Sequence, residues 1–160
     1  MDTNFKVIDA MTQNPVIISP EKSIQECAKL MSEQNVGSVV VMENGRLVGI
    51  ITEFDIVQRA VAEGKNAQET TVKNMMSTSV HTIEPNVGLF DAINTMAQLD
   101  IRHLPVVNDG TFMGFLTAKD VLKIEPALFE ILLDNIDLRE EDRKPIPQDD
   151  VAFQADDDIE

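Results

Sequence analysis

The stretch Gly49-Ile50-Ile51-Thr52-Glu53-Phe54-Asp55 returns 65 residues later as Gly114-Phe115-Leu116-Thr117-Ala118-Lys119-Asp120. Both read glycine, two apolar residues, threonine, two variable residues, aspartate. The same offset aligns Val7–Gln58 with Val72–Lys123 without a gap, and ten of those 52 positions are identical. Val7/Val72, Met11/Met76, Pro20/Pro85 and Gly45/Gly110 are among them. A fixed offset that keeps glycines, prolines and turn residues in step marks two copies of one structural unit.

Each copy carries the same local pattern. A short extended piece, Val16-Ile17-Ile18 or His81-Thr82-Ile83, ends at a proline. A helix follows. Ser23 and Glu26 form a capping box ahead of an apolar stripe of Ile24, Cys27, Leu30 and Met31, and Leu89, Ala92, Ile93 and Met96 repeat that stripe. Two apolar runs then flank Asn44-Gly45, and two more flank Asp109-Gly110. Both dipeptides accept the positive φ angles of a type I′ turn, so each predicts a β-hairpin. A second helix starts at Thr52 or Thr117. The fold class is α/β in the α+β sense, with the order strand, helix, strand, strand, helix, twice. A unit of 50–60 residues buries too little on its own, which predicts two units packed about a pseudo-twofold axis.

This order and these motifs resemble the CBS domain, a unit found in tandem in many regulatory proteins, over roughly residues 7–124. The resemblance implies clefts between paired units that bind adenosine-containing ligands. It implies that Asp55 and Asp120 accept hydrogen bonds from ribose hydroxyls, and that Thr52 and Thr117 hold the ribose or first phosphate. It also implies that Val16, Ile17, His81 and Thr82, in the early extended segments, contact the base. Arg102 and His103 match the family's basic phosphate-contacting stretch, and Lys119 adds a base inside the motif. The first copy has no base at the aligned positions and carries Phe54 where many relatives have arginine, so one stronger and one weaker site are expected. AMP, ADP or ATP, with or without magnesium, fit best, S-adenosylmethionine less well, and no cofactor is required. The resemblance further implies a homodimer of pairs and an unidentified client protein.

Simpler readings stand beside these. Thr-x-x-Asp at a helix start is a capping arrangement in its own right, worth about 1 kcal/mol without any ligand. Gly49 and Gly114 could serve only to relieve crowding in a strand. Arg102 could pair with a surface acid, and His103 could be a satisfied strand histidine. A scaffold protein with empty clefts is the alternative function.

Composition narrows the classes further. With 13 bases against 28 acids the net charge is −15, which disfavours nucleic acid or anionic lipid as a main partner. Two histidines 22 residues apart and one cysteine give no zinc spacing. A phosphate-binding loop and a dinucleotide-binding glycine string are absent, so a non-enzymatic role is expected. Cys27 reads as a small core residue, and a single cysteine suits a reducing, cytoplasmic setting. The first 30 residues do not read as a signal peptide, and no apolar run approaches membrane-spanning length. The expected division is a first unit over residues 1–64, a second over 65–125, a helix over 126–138 and an acidic tail over 139–160. Leu128, Ile131, Leu132 and Ile136 supply that helix's apolar stripe, and the tail lacks periodicity and ends in Asp156-Asp157-Asp158.

Overall fold

A computed structural model describes residues 4–133. The fold is mixed α+β, built from two related units. The first runs through a short helix α1 (Val7–Ala10), strand β1 (Ile17–Ile18), helix α2 (Ile24–Gln34) and the hairpin β2 (Ser38–Glu43) and β3 (Arg46–Thr52). Helix α3 (Glu53–Asp55) then passes into a π-helical turn, Ile56–Val61. The second unit comprises α4 (Val72–Met75), α5 (Leu89–Leu99), the hairpin β4 (His103–Asn108) and β5 (Thr111–Thr117), and α6 (Ala118–Ile124).

The turn chemistry is as read. Asn44 and Gly45 take φ values of 50° and 76°, and Asp109 and Gly110 take 48° and 77°. Ser23 accepts from the Glu26 N–H while the Glu26 carboxylate accepts from the Ser23 N–H, so the capping box opens α2. β1 pairs parallel to β2, and β2 pairs antiparallel to β3. In the second unit the strand expected at His81-Thr82-Ile83 shrinks to one parallel bridge, Ile83 to Val106, beside the two-stranded sheet β4–β5. The helix expected after Thr52 is likewise not regular, since it turns π-helical, whereas its counterpart α6 is α-helical throughout.

Side chains alternate across each hairpin. Val39, Val41 and Ile51 face the α2 core with Ile24, Cys27 and Met31. Their neighbours Val40 and Ile50 turn the other way and meet Phe115 of the second unit, with Val80 and Phe112 packed alongside. The two sheets therefore share a core.

The opening segments are exchanged. Val7 lies in the core of the second unit with Leu89, Ile93 and Met96, and Val72 lies in the core of the first with Ile24 and Cys27. Val7 N–H donates to the Val87 carbonyl (2.9 Å), and Val72 N–H donates to the Lys22 carbonyl (2.8 Å), two bonds related by the repeat offset. Thr12 then bridges to Phe115, and Ser77 to Ile50. This accounts for the motif glycines. A β-carbon on Gly49 would lie 2.7 Å from Met76 Sδ and 2.9 Å from the Ser77 carbonyl oxygen, and one on Gly114 would lie 2.7 Å from the Thr12 carbonyl oxygen. Crowding is the reason for both, and the crowding comes from the other unit.

Pro126 opens a 3-10 turn (Pro126–Leu128) whose Leu128 is buried in the second core, with Ile131 and Leu132 packed against it. Ile136 and the tail over 139–160 lie outside the described residues.

Candidate functional site

The motif aspartates are placed by their own caps. Thr52 Oγ1 accepts from the Asp55 N–H (3.1 Å), while Asp55 Oδ2 accepts from the Thr52 N–H (2.9 Å) and hydroxyl (2.8 Å). Thr117 and Asp120 repeat the arrangement at 3.2, 3.0 and 2.6 Å. The helix-capping reading therefore holds for both pairs. It occupies only one oxygen of each carboxylate. Asp55 Oδ1 meets Arg59 at 3.6 Å, and Asp120 Oδ1 meets Lys123 at 3.9 Å, both beyond good hydrogen-bond length. Asp55 is the one buried charged residue among the described residues.

Beside Asp55 lies a cleft of about 130 Å³. The first unit contributes Ile50, Thr52 and Asp55. The second contributes Ser77, Ser79, Val80 and His81 from the crossing segment, and Ile101 and His103 from the approach to β4 and its first residue. His103 leans on the Phe115 ring, with centroids 5.8 Å apart. Burial lowers the His103 pKa from its ordinary value, and the nearby Asp55 charge works in the opposite direction. Among the described residues no group of three histidine, cysteine or acidic side chains is placed to hold a metal ion.

Four expected site residues, Thr52, Asp55, His81 and His103, thus meet in one cleft although they come from different copies. Others do not join it. Arg102 and Lys119 are exposed outside its lining, and Thr82 is exposed as well. Val16 is half-buried against the first core and its carbonyl accepts from the Val40 N–H (3.1 Å). Ile17 faces a separate shallow groove with Lys22, Glu26 and Lys29. At the positions matching His81 and His103, the first copy has Val16 and Ser38. The two sides of the pair are chemically unequal. Within the cleft lining, the histidines carry that difference.

Ser77, Ser79 and Arg59 escaped the sequence reading. Arg59 donates to the Met75 carbonyl (2.9 Å), tying the helix after Asp55 to the crossing segment. Its only signal was a base four residues after the motif aspartate, a spacing that reads as an ordinary surface pair.

Comparison with known proteins agrees with this geometry. A family model described as the CBS domain matches residues 7–62 and again 72–126. The CBS domain-containing protein YhcV of Bacillus subtilis is 41% identical over 115 residues, covering 72% of this chain and 81% of that protein. A crystal structure of an uncharacterized conserved protein from Pyrococcus horikoshii superposes with a TM-score of 0.72 at 30% identity, over 78% of this chain and 94% of that one. The CBS domain pair of protein MJ0100, solved in complex with 5′-methylthioadenosine and S-adenosyl-L-methionine, superposes with a TM-score of 0.69 at 27% identity, over 77% and 97%. Two matched copies, each with its capped Thr-x-x-Asp motif and its exchanged opening segment, show that this chain belongs to the CBS domain family and carries two such domains in tandem.

Proposed function

We propose that the chain is a ligand-sensing regulatory module, binding an adenosine-containing ligand in the Asp55 cleft and altering how it is presented to a client protein. The observation that carries this is the meeting of Thr52 and Asp55 from one domain with Ser77–His81 and His103 from the other. Asp55 Oδ2 is held by Thr52, while Oδ1 keeps lone pairs for the hydroxyl pair of a ribose. Ser77, Ser79 and the exposed backbone of the crossing segment supply polar contacts for a base, and Ile50, Val80 and Ile101 supply apolar wall. At about 130 Å³ the cleft holds a sugar-sized group, so the rest of a nucleoside lies over its open mouth. AMP, ADP, ATP and S-adenosylmethionine all present the required ribose, as do the 5′-methylthioadenosine and S-adenosyl-L-methionine with which the MJ0100 pair was solved. Binding proceeds without turnover. The buried, unpaired Cys27, its thiol pushed up to about 11 by desolvation, suits a reducing cytoplasm.

Two copies of the chain associate through the apolar stripe Phe54, Val57 and Val61, which is exposed on the first domain.

Thermal unfolding against AMP, ADP, ATP (each with and without magnesium) and S-adenosylmethionine tests the ligand reading. A ligand at 100 times its Kd stabilises the native state by about 2.7 kcal/mol, a rise of roughly 5–10 °C for a chain of this size. The rise is expected to vanish in Asp55→Ala, whose own Tm falls by the loss of its cap. No rise with any of these ligands would favour a scaffold with empty clefts.

A further inference from the structure

We propose that the Asp55 cleft selects its ligand by charge: it takes an uncharged or cationic nucleoside at neutral pH, and gains a phosphorylated one only as His103 takes up a proton. This rests on the reading of the cleft as a nucleoside site. No lysine or arginine is among its lining residues. Its formal charge is the Asp55 carboxylate, and the nearest guanidinium, Arg59, lies 3.6 Å from Asp55 Oδ1 and is held by donating to the Met75 carbonyl. Arg102 and Lys119 are exposed and are not among the lining residues, although Arg102 lies between the lining residues Ile101 and His103.

A phosphate at the mouth of such a cleft gives up water, finds no cation among the lining residues, and meets Asp55. An unpaired buried anion is costly. A neutral ribose with an apolar or positively charged 5′ substituent meets none of that cost and complements Asp55. Of the two cleft histidines, His103 is the half-buried one that feels the Asp55 charge. It is faced by Asp55 from α3, by the Phe115 ring from β5 and by His81 across the cleft, with Arg59 beyond Asp55. Burial keeps its pKa below the ordinary 6.5, so it is neutral at pH 7. An anion beside it would raise that value on binding, so affinity for the anion climbs as pH falls through the region around and below 6.5. A rise of one unit on binding corresponds to about a tenfold gain. The matching positions in the other half, Val16 and Ser38, do not titrate, so this behaviour belongs to the Asp55 side alone.

Isothermal titration of the full chain with adenosine, S-adenosylmethionine and AMP, at pH 8.0 and pH 5.5, tests this. Adenosine and S-adenosylmethionine are expected to bind at least about tenfold more tightly than AMP at pH 8.0, and AMP is expected to gain about tenfold at pH 5.5 while adenosine does not. AMP titrates its own phosphate in this range, so His103→Asn and His103→Gln are the decisive comparison. Each is expected to lose most of the acid gain for AMP, measured against adenosine on the same variant. AMP binding as tight as adenosine at pH 8.0, or an acid gain that survives both substitutions, overturns charge selection while leaving the nucleoside site standing. Failure of adenosine to bind at either pH overturns the site and the selection together.

Discussion

Asp55 and Asp120 each divide two tasks between two oxygens. Oδ2 closes the cap with its threonine, and Oδ1 faces away from it. A local capping motif thereby fixes the orientation of a carboxylate that tertiary structure can then use. Glu26 shows the same box away from that cleft, beside the shallow groove of Ile17, Lys22 and Lys29. Its carboxylate accepts from the Ser23 N–H (2.9 Å), the Ser23 hydroxyl (3.1 Å) and the Lys22 ammonium (2.9 Å). The backbone bond from Ser23 is the largest cause, followed by the Lys22 contact, and together they hold its pKa at about 2 against an ordinary 4.5. A carboxyl held low in the native state binds its proton more readily when unfolded. Its contribution is full above pH 4.5 and is lost as pH falls towards about 2. Glu26→Gln keeps the box but not the titration. Urea unfolding between pH 5 and pH 2 is expected to show a shallower loss of stability in Glu26→Gln than in the parent, and equal slopes would show that the carboxyl is not held. These three boxes were legible in the sequence because each closes within three residues. Arg59 was not, because its partner carbonyl lies 16 residues away and meets it only when the domains cross.

The hairpins and first helices were legible for a similar reason. Asn44-Gly45 and Asp109-Gly110 dictate their own turns, and the apolar stripes of α2 and α5 dictate which faces turn inward. What stayed hidden is the exchange of opening segments. Val7 and Val72 each read as the start of their own repeat, yet each completes the core of the other. Gly49 and Gly114 are the sequence trace of that exchange, since a central strand glycine marks a close approach whose source the strand itself cannot reveal. Alanine at either position is expected to cost about 1–3 kcal/mol through overpacking. Gly114→Ala is expected to cost more. The new β-carbon would meet first the Thr12 backbone, whereas at Gly49 the first atom met is the movable Met76 sulfur. Denaturant unfolding of the two variants gives the comparison, and two near-neutral substitutions would mean that the crossing segments do not sit against these strands.

On the scale of the whole molecule, the repeats match in fold and differ in surface. The exchange ties each opening segment into the other domain's core, and between those cores Val40 and Ile50 of one sheet meet Phe115 of the other. That leaves the outer helices to distinguish them. Phe54, Val57 and Val61 are 65%, 58% and 68% exposed, at a spacing that puts them along one side of the helical segment after β3. The second domain has Lys119, Leu122 and Pro126 at the same places, with Lys119 and Pro126 exposed. Three large apolar side chains together on a surface mark an interaction site more often than isolated ones do. An isologous contact between two copies would cover this stripe with its own equivalent, which needs no other partner and leaves the second domain free for a client. Sedimentation equilibrium at tens of micromolar is expected to give about twice the 17.8 kDa chain mass, and Phe54→Ser combined with Val57→Asp is expected to return the chain to monomer with its fold intact. A parent that sediments as monomer at these concentrations would assign the stripe to the client instead. A dimer that survives the double substitution would place its interface on another face.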